Sequence, residues 1–189
     1  MQPVSLVDMS ISLSRLDPSG ADRSGLIEFF TSNGFPFHVH SAPWTVDKVA
    51  DMIASGAFRN DDNDSFWILD DDLGAVGYVR LEDLNDDTPL FDLRLSTEFR
   101  GRGLGVGCLS ALTDHVFETK DAERFEGHTR ADNIAMRSVF LRAGWSKEAH
   151  YRRAWPVEGH SPQDSVAYAI LREEWASGVS VDVHWHDFP

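Results

Sequence analysis

The segment Phe99-Arg100-Gly101-Arg102-Gly103-Leu104-Gly105-Val106-Gly107 sets glycine at alternate positions between a β-rich run, 90–95, and a run with helical period. Glycines so spaced let a backbone approach a ligand closely, and a helix starting at Leu104 offers unpaired N–H groups at the positive end of its dipole. Arg100 and Arg102 add positive charge to a chain with 17 Lys and Arg against 31 Asp and Glu, a formal net charge of −14. A strand, a glycine turn, two arginines and a helix start together favour a phosphate or pyrophosphate. Spacing then excludes two common nucleotide turns. G-x-G-x-x-G fails, because counting from Gly101, Gly103 or Gly105 brings the last position to Val106, Cys108 or Ser110. No Gly-Lys followed by Ser or Thr occurs, so the P-loop fails as well.

The rest of the chain supplies the frame for this turn. Residues 4–13 alternate loosely and predict a first strand, and 23–31 a short helix stopped by Asn33-Gly34. Thr45 caps a helix whose Val46, Val49, Ala50 and Ile53 share one face, closed by Gly56. Runs 65–69 and 75–81, joined by Asp70-Asp71-Asp72-Leu73-Gly74, read as a hairpin. Beyond the turn, Val106, Leu109, Leu112 and Val116 mark a helix ending near Lys120, and 124–129 a strand. Asp132 then caps a helix carrying Met136, Val139, Phe140 and Ala143, with Gly144 at its end. Runs 145–155 and 165–171 complete the strands, and 173–176 form a final turn. This order predicts an α/β chain of the α+β type, with antiparallel and parallel strand pairs in the sheet. A length of 189 residues without a Pro/Gly/Ser linker suits one domain over 1–176, with 177–189 as a tail.

Composition narrows the setting. A chain this acidic repels phosphate backbones, so no nucleic-acid partner is expected. The longest apolar run, 166–171, is far short of a membrane span, and the start has neither a basic cluster nor an apolar core, so no membrane partner and no secretory signal are expected. One cysteine, Cys108, forms no internal disulfide and packs as a small apolar side chain. The expected location is the cytoplasm.

Arg100, Gly103 and Gly105 match every fixed position of R/Q-x-x-G-x-G/A, the turn between the fourth strand and third helix of the GCN5-related N-acetyltransferase (GNAT) superfamily, which this chain resembles. A second segment, Asn133-Ile-Ala-Met136-Arg-Ser-Val-Phe140-Leu-Arg-Ala-Gly144-Trp145, is similar to the superfamily's N-x-x-A/S-x-x-hydrophobic-Tyr-x-x-x-G-F helix. The branch it most resembles includes ribosomal-protein alanine acetyltransferases. The resemblance implies a mixed, mostly antiparallel central sheet with a parallel splayed strand pair and helices on both faces. It also implies acetyl-CoA as co-substrate, its pyrophosphate on the amides of Arg102, Gly103, Leu104 and Gly105, with Arg100, Gly101 and Phe140 adjoining. Leu93, Arg94 and Leu95 would pair with the pantetheine like an extra strand, and Asn133 would hydrogen-bond the cofactor arm.

The implied reaction is direct transfer of an acetyl group to a primary amine of a small metabolite, an antibiotic or a peptide N-terminus. Asp92, flanked by apolar residues, is the expected base with a raised pKa, its alternative being an ion pair with Arg94 or Arg80; Glu82 and His128 are rivals. The usual tyrosine position is Phe140, which has no proton to give, so Tyr151 or Ser138 is the expected acid. That loss also keeps open an inactive acyl-CoA-binding module. Phe37, His38, His40 and Trp44 are expected to line the acceptor side, without a metal, because no paired ligand spacing accompanies the histidines. Alternation over 181–186 suits an edge strand, in this chain or in a homodimer.

Overall fold

The computed structural model describes residues 11–181 and 183. The acidic turn at 70–74 makes the predicted hairpin. Asp70 Oδ1 accepts the N–H groups of Asp72 and Leu73, both at 3.0 Å, and reverses the chain between β2 (Asp64–Asp70) and β3 (Gly74–Glu82). β1 (Ile11–Arg15) pairs with the outer side of β2, and β4 (Leu90–Leu95) with β3, giving a four-stranded antiparallel sheet β1-β2-β3-β4. A second antiparallel sheet, in the order β5-β7-β6, contains β5 (Arg124–Arg130), β6 (Ser146–Val157) and β7 (His160–Leu171).

The helices divide between the faces of the first sheet. On one side α1 (Arg23–Ser32) and α2 (Val46–Ala54) bury Leu26, Phe30, Val49 and Ile53 against Leu16 and Tyr78. On the other, α3 (Leu104–Thr119) buries Leu109, Leu112 and Val116 against Ile68, Val79 and Leu81. α2 starts where the sequence predicts, with Thr45 Oγ1 accepting the Lys48 N–H at 3.2 Å. α4 (Ile134–Arg142) starts one residue later than expected. Asn133 is its cap, accepting the Met136 N–H at 3.2 Å, while Asp132 is turned back onto Arg130 at 2.6 and 3.0 Å. A short α5 (Arg172–Ser177) replaces the expected final turn.

The two sheets separate beside the glycine turn. Glu126 N–H donates to Pro89 O at 3.2 Å. One step on, Phe91 and Gly127 are so close that a Cβ on Gly127 would lie 2.6 Å from the Phe91 ring. Contacts thus advance together along β4 and β5, which run the same way with α3 as their crossover. Beyond them no ladder joins the strands: Leu93 and Arg94 on one side and Thr129 on the other border a cavity. The mixed, mostly antiparallel architecture with a splayed parallel pair is thus the one expected, with β4 and β5 as that pair and the ladder interrupted between them.

Three expectations need adjustment or lie elsewhere. β7 begins at His160, not Ser165, so β6 and β7 form a 12-residue-by-12-residue hairpin. Its outer half carries Pro156, Pro162 and exposed polar residues, which hide the strand alternation. Residues 4–10 of the first predicted strand, and all of the tail strand except Val181 and Val183, lie outside the described residues. Among the described residues no helix is long and apolar enough to cross a membrane.

Cys108 is fully buried in the α3 core, and burial pushes its thiol up to about 12. A native sample at pH 8 is accordingly expected to resist a disulfide-exchange reagent, with one thiol per chain released only in denaturant. Rapid labelling of the folded chain would contradict that packing.

Candidate functional site

Two adjoining cavities open at the splay. One, of about 290 Å³, runs along the glycine turn and is bordered by Phe35, Leu93, Leu95, Arg100, Gly101, Gly103, Leu104, Gly105 and Val139 among others. The other, of about 440 Å³, is bordered by Phe37, His38, His40, Trp44, Glu82, Asp92, His128 and Trp155 among others. Phe37, His38, Leu93, Arg94, Asn133 and Met136 border both.

The turn has the geometry that its glycines require. Gly101 and Gly103 sit at φ +73° and +89°, where an L side chain is strained, and a Cβ at either would meet nothing within 4 Å. The space over Gly101 and Gly103 is open, and Gly103, the α3 N-cap, has no side chain to cap the first N–H groups of the helix. Arg100 is drawn into the cavity wall: Nε donates to Leu95 O at 2.9 Å and its guanidinium lies 5.1 Å over the Phe35 ring. Its Nη2 is buried with no partner among the described residues, and burial lowers its pKa. An unpaired buried cationic N–H beside open glycine amides suits an anionic oxygen ligand such as a diphosphate. Arg102 differs from Arg100. It is exposed, lies 5.5 Å over the Phe99 ring, and marks the outer rim of the turn.

The second cavity is organised by one arginine. Arg94, 7% exposed, is enclosed by aromatic rings, with its guanidinium 4.7, 5.2 and 5.4 Å from Phe35, Trp44 and Phe30. It grips Asp92 through Nε at 3.0 Å and Nη2 at 2.7 Å. Asp92 Oδ1 also lies 3.0 Å from His38 Nε2. Burial alone would raise the Asp92 carboxyl, but the Arg94 charge and the His38 contact outweigh it and hold it well below the usual carboxylate range. The expectation of a raised pKa is thus reversed: Asp92 is an ion-paired carboxylate and a poor proton acceptor. The alternative pairing with Arg94 is what the fold makes, because both side chains project from β4 toward the same cavity.

Other expected residues divide. Phe37, His38, His40 and Trp44 all border the second cavity, on a loop stitched by Phe35 N–H to Ser41 O at 2.7 Å and Trp44 N–H to Phe30 O at 2.9 Å. Asn33, read only as a helix stop, ties that loop to the end of β4 by accepting the Thr97 N–H at 2.7 Å. Asn133 borders both cavities, with its amide spent on the α4 cap and on Thr129 at 3.0 Å. Phe140 does not belong with them. It is fully buried, stacked on Tyr168 at 4.6 Å and packed against Phe91 and Trp145, so it is core and lines neither cavity. Tyr151 also falls outside both walls: it is 46% exposed on β6, its ring stacked on His128 at 6.1 Å. Ser138 is exposed on α4.

Sequence reading placed the two strands of the hairpin but assigned its outer half no part in the site. Trp155 borders the second cavity, and Glu158 at the tip reaches back to the loop through its N–H to Val39 O at 3.0 Å and its carboxylate to His40 Nδ1. No local signal announces a contact across 118 residues. Among the described residues, no group of three or more His, Cys, Asp and Glu could hold a metal ion.

Residues 13–146 match the family model described as an acetyltransferase (GNAT) domain. Among solved structures, a spermidine N-acetyltransferase from Vibrio cholerae in complex with CoA and spermine is similar over 88% of this chain and 98% of its own, with TM-score 0.75 and 16% identity. A chimera of the Vibrio cholerae enzyme and hSSAT matches over 88% and 98% with TM-score 0.73 and 16% identity. Mutant forms of the Vibrio cholerae spermidine/spermine N-acetyltransferase match over 89% and 99%, with TM-score 0.70 and 17% identity. At such identities the likeness speaks for the fold.

Proposed function

Because the chain belongs to the GNAT acetyltransferase domain family, we propose that it transfers an acetyl group from acetyl-CoA to a primary amine, directly, with both substrates bound. The observation that carries this reading is the open turn at Gly101 and Gly103 beside the unpartnered buried Nη2 of Arg100, facing a splayed strand edge. The amides of Arg102, Gly103, Leu104 and Gly105 would hold the diphosphate with Arg100, and Leu93, Arg94 and Leu95 on the free edge of β4 would line the pantetheine arm. The bound thioester supplies the acyl group; the chain's part is to align it, to bring up the amine through the second cavity and to exclude bulk water. A strand N–H would serve the carbonyl oxygen as negative charge develops there. The departing thiolate needs no obligatory acid, since thiols titrate within a few pH units of neutrality. Neither Phe140 nor the outward-facing Tyr151 offers one.

The acceptor is a small metabolite, an antibiotic or a peptide N-terminus, the last favoured by the ribosomal-protein alanine acetyltransferase resemblance; spermidine, named for the similar structures, joins them as a candidate. The setting we propose is cytoplasmic. The lack of an acid at Phe140 also supports a second reading, an acyl-CoA-binding module without turnover. One pair of measurements decides. Acetyl-CoA at about 100 times its Kd should stabilise the protein by roughly 2.7 kcal/mol, a rise in Tm of about 5–10 °C for a chain of this size. Thiol release should then depend on added amine. Stabilisation without amine-dependent release would favour the binding module, and neither response would reject both.

A further inference from the structure

We infer that His38 removes the proton from the attacking amine, with Asp92 as its positioning residue. The inference deepens the acetyl-transfer reading and rests on it. Of the residues bordering both cavities, Phe37, Leu93 and Met136 are apolar, Arg94 is a permanent cation and Asn133 a neutral amide. His38 alone carries a side chain that can both accept and donate a proton, and it stands where acceptor and acyl donor must meet.

Its surroundings determine which nitrogen is free. Nε2 lies 3.0 Å from Asp92 Oδ1, and Asp92 is kept ionised by Arg94, so that contact is an Nε2–H donated to a carboxylate. The lone pair then resides on Nδ1, which has no hydrogen-bond partner among the described residues. The ring is held edge-on to Phe35 at 5.6 Å, and the backbone is fixed by His38 N–H to Phe35 O at 3.0 Å. At 27% side-chain exposure the imidazole can return a proton to solvent.

Competing bases around the cavity are already engaged. Glu82 is paired with Arg80 on β3, Glu126 with Arg124 and His128 on β5, Asp132 with Arg130, and Glu158 of the hairpin with His40. His40 and His128 border the acceptor cavity only. In the step itself, the ammonium gives one proton to Nδ1 and its freed pair forms the N–C bond at the thioester carbonyl. The C–S bond breaks with its pair on sulfur, and the nitrogen sheds a second proton that the thiolate takes up. The imidazolium releases its proton to water, so one proton leaves per acetyl transferred.

The full-length His38→Gln variant tests this. Its acetyl-CoA affinity by calorimetry should stay within about twofold of wild type, while kcat at pH 7 falls roughly 10²–10⁴-fold, the usual span for a lost general base. The deficit should shrink as pH approaches 10, where an alkylamine arrives neutral without help; a deficit constant from pH 6 to 10 overturns the inference. His150→Gln, which breaks a comparable 2.9 Å pairing with Asp164 away from both cavities, should keep wild-type kcat. A readout that needs no turnover is the imidazole ¹⁵N spectrum of the free protein at pH 8, where His38 should carry its proton on Nε2. A proton on Nδ1 overturns the assignment. Wild-type turnover with an unimpaired His38→Gln enzyme rejects this inference alone, whereas a wild type that neither binds acetyl-CoA nor releases thiol rejects the functional reading with it.

Discussion

Gly103→Val is expected to weaken acetyl-CoA binding about 100-fold or more, roughly 2.7 kcal/mol, while the domain still folds. Gly103 sits at φ +89° with empty space over its Cβ position, so two branched methyl groups would occupy the volume proposed for the diphosphate. The left-handed conformation adds strain of about 1–2 kcal/mol, which for a chain of this size lowers Tm by roughly 2–8 °C. Gly74→Val separates the two effects. Gly74, in the β2–β3 turn, has φ +76° and likewise nothing within 4 Å, so it carries similar strain far from the turn. Calorimetry should find it binding like wild type; equal losses in both variants would show that strain, not lost space, explains the Gly103 result.

Asp92→Ala is expected to cost about 3–5 kcal/mol of stability, because it strands Arg94 in an aromatic enclosure without its counter-ion. Urea unfolding at pH 7 measures the loss. Removing both partners in Asp92→Leu/Arg94→Met should cost less than either single change, since no uncompensated charge is left behind. The pH dependence has a definite sign. Arg94 and His38 hold the folded carboxyl well below its ordinary 3.8, so its stabilisation is present at neutral pH and is lost as pH falls below about 4. The gap between wild type and Asp92→Ala should therefore close in acid. A gap independent of pH would mean that the ion pair is not what the substitution removes.

These two sites show how far local pattern reaches. The turn geometry at 100–105 depends on backbone conformation over six residues, and glycine spacing encodes it directly: the turn, the helix start at Leu104 and the β2–β3 hairpin appear where the sequence predicts them. The chemistry at Asp92 does not depend on neighbours alone. Its apolar flanks suggest a raised pKa, yet the deciding groups are Arg94, two residues along the same strand, and His38, 54 residues away on a loop tied down through Asn33.

Periodicity, caps and glycine placement were enough to determine the order of strands and helices, the turn before α3 and the loop that carries Phe37, His38, His40 and Trp44, because each is a short-range property of the chain. Tertiary packing alone decided that Phe140 stacks into the core and Tyr151 turns outward, and that the hairpin tip reaches His40. It also decided that His38 meets Asp92 through Nε2 rather than Nδ1. Charge pairing and burial act through space, and a carboxylate's neighbours in three dimensions, rather than along the chain, fix whether it accepts a proton or orients the residue that does.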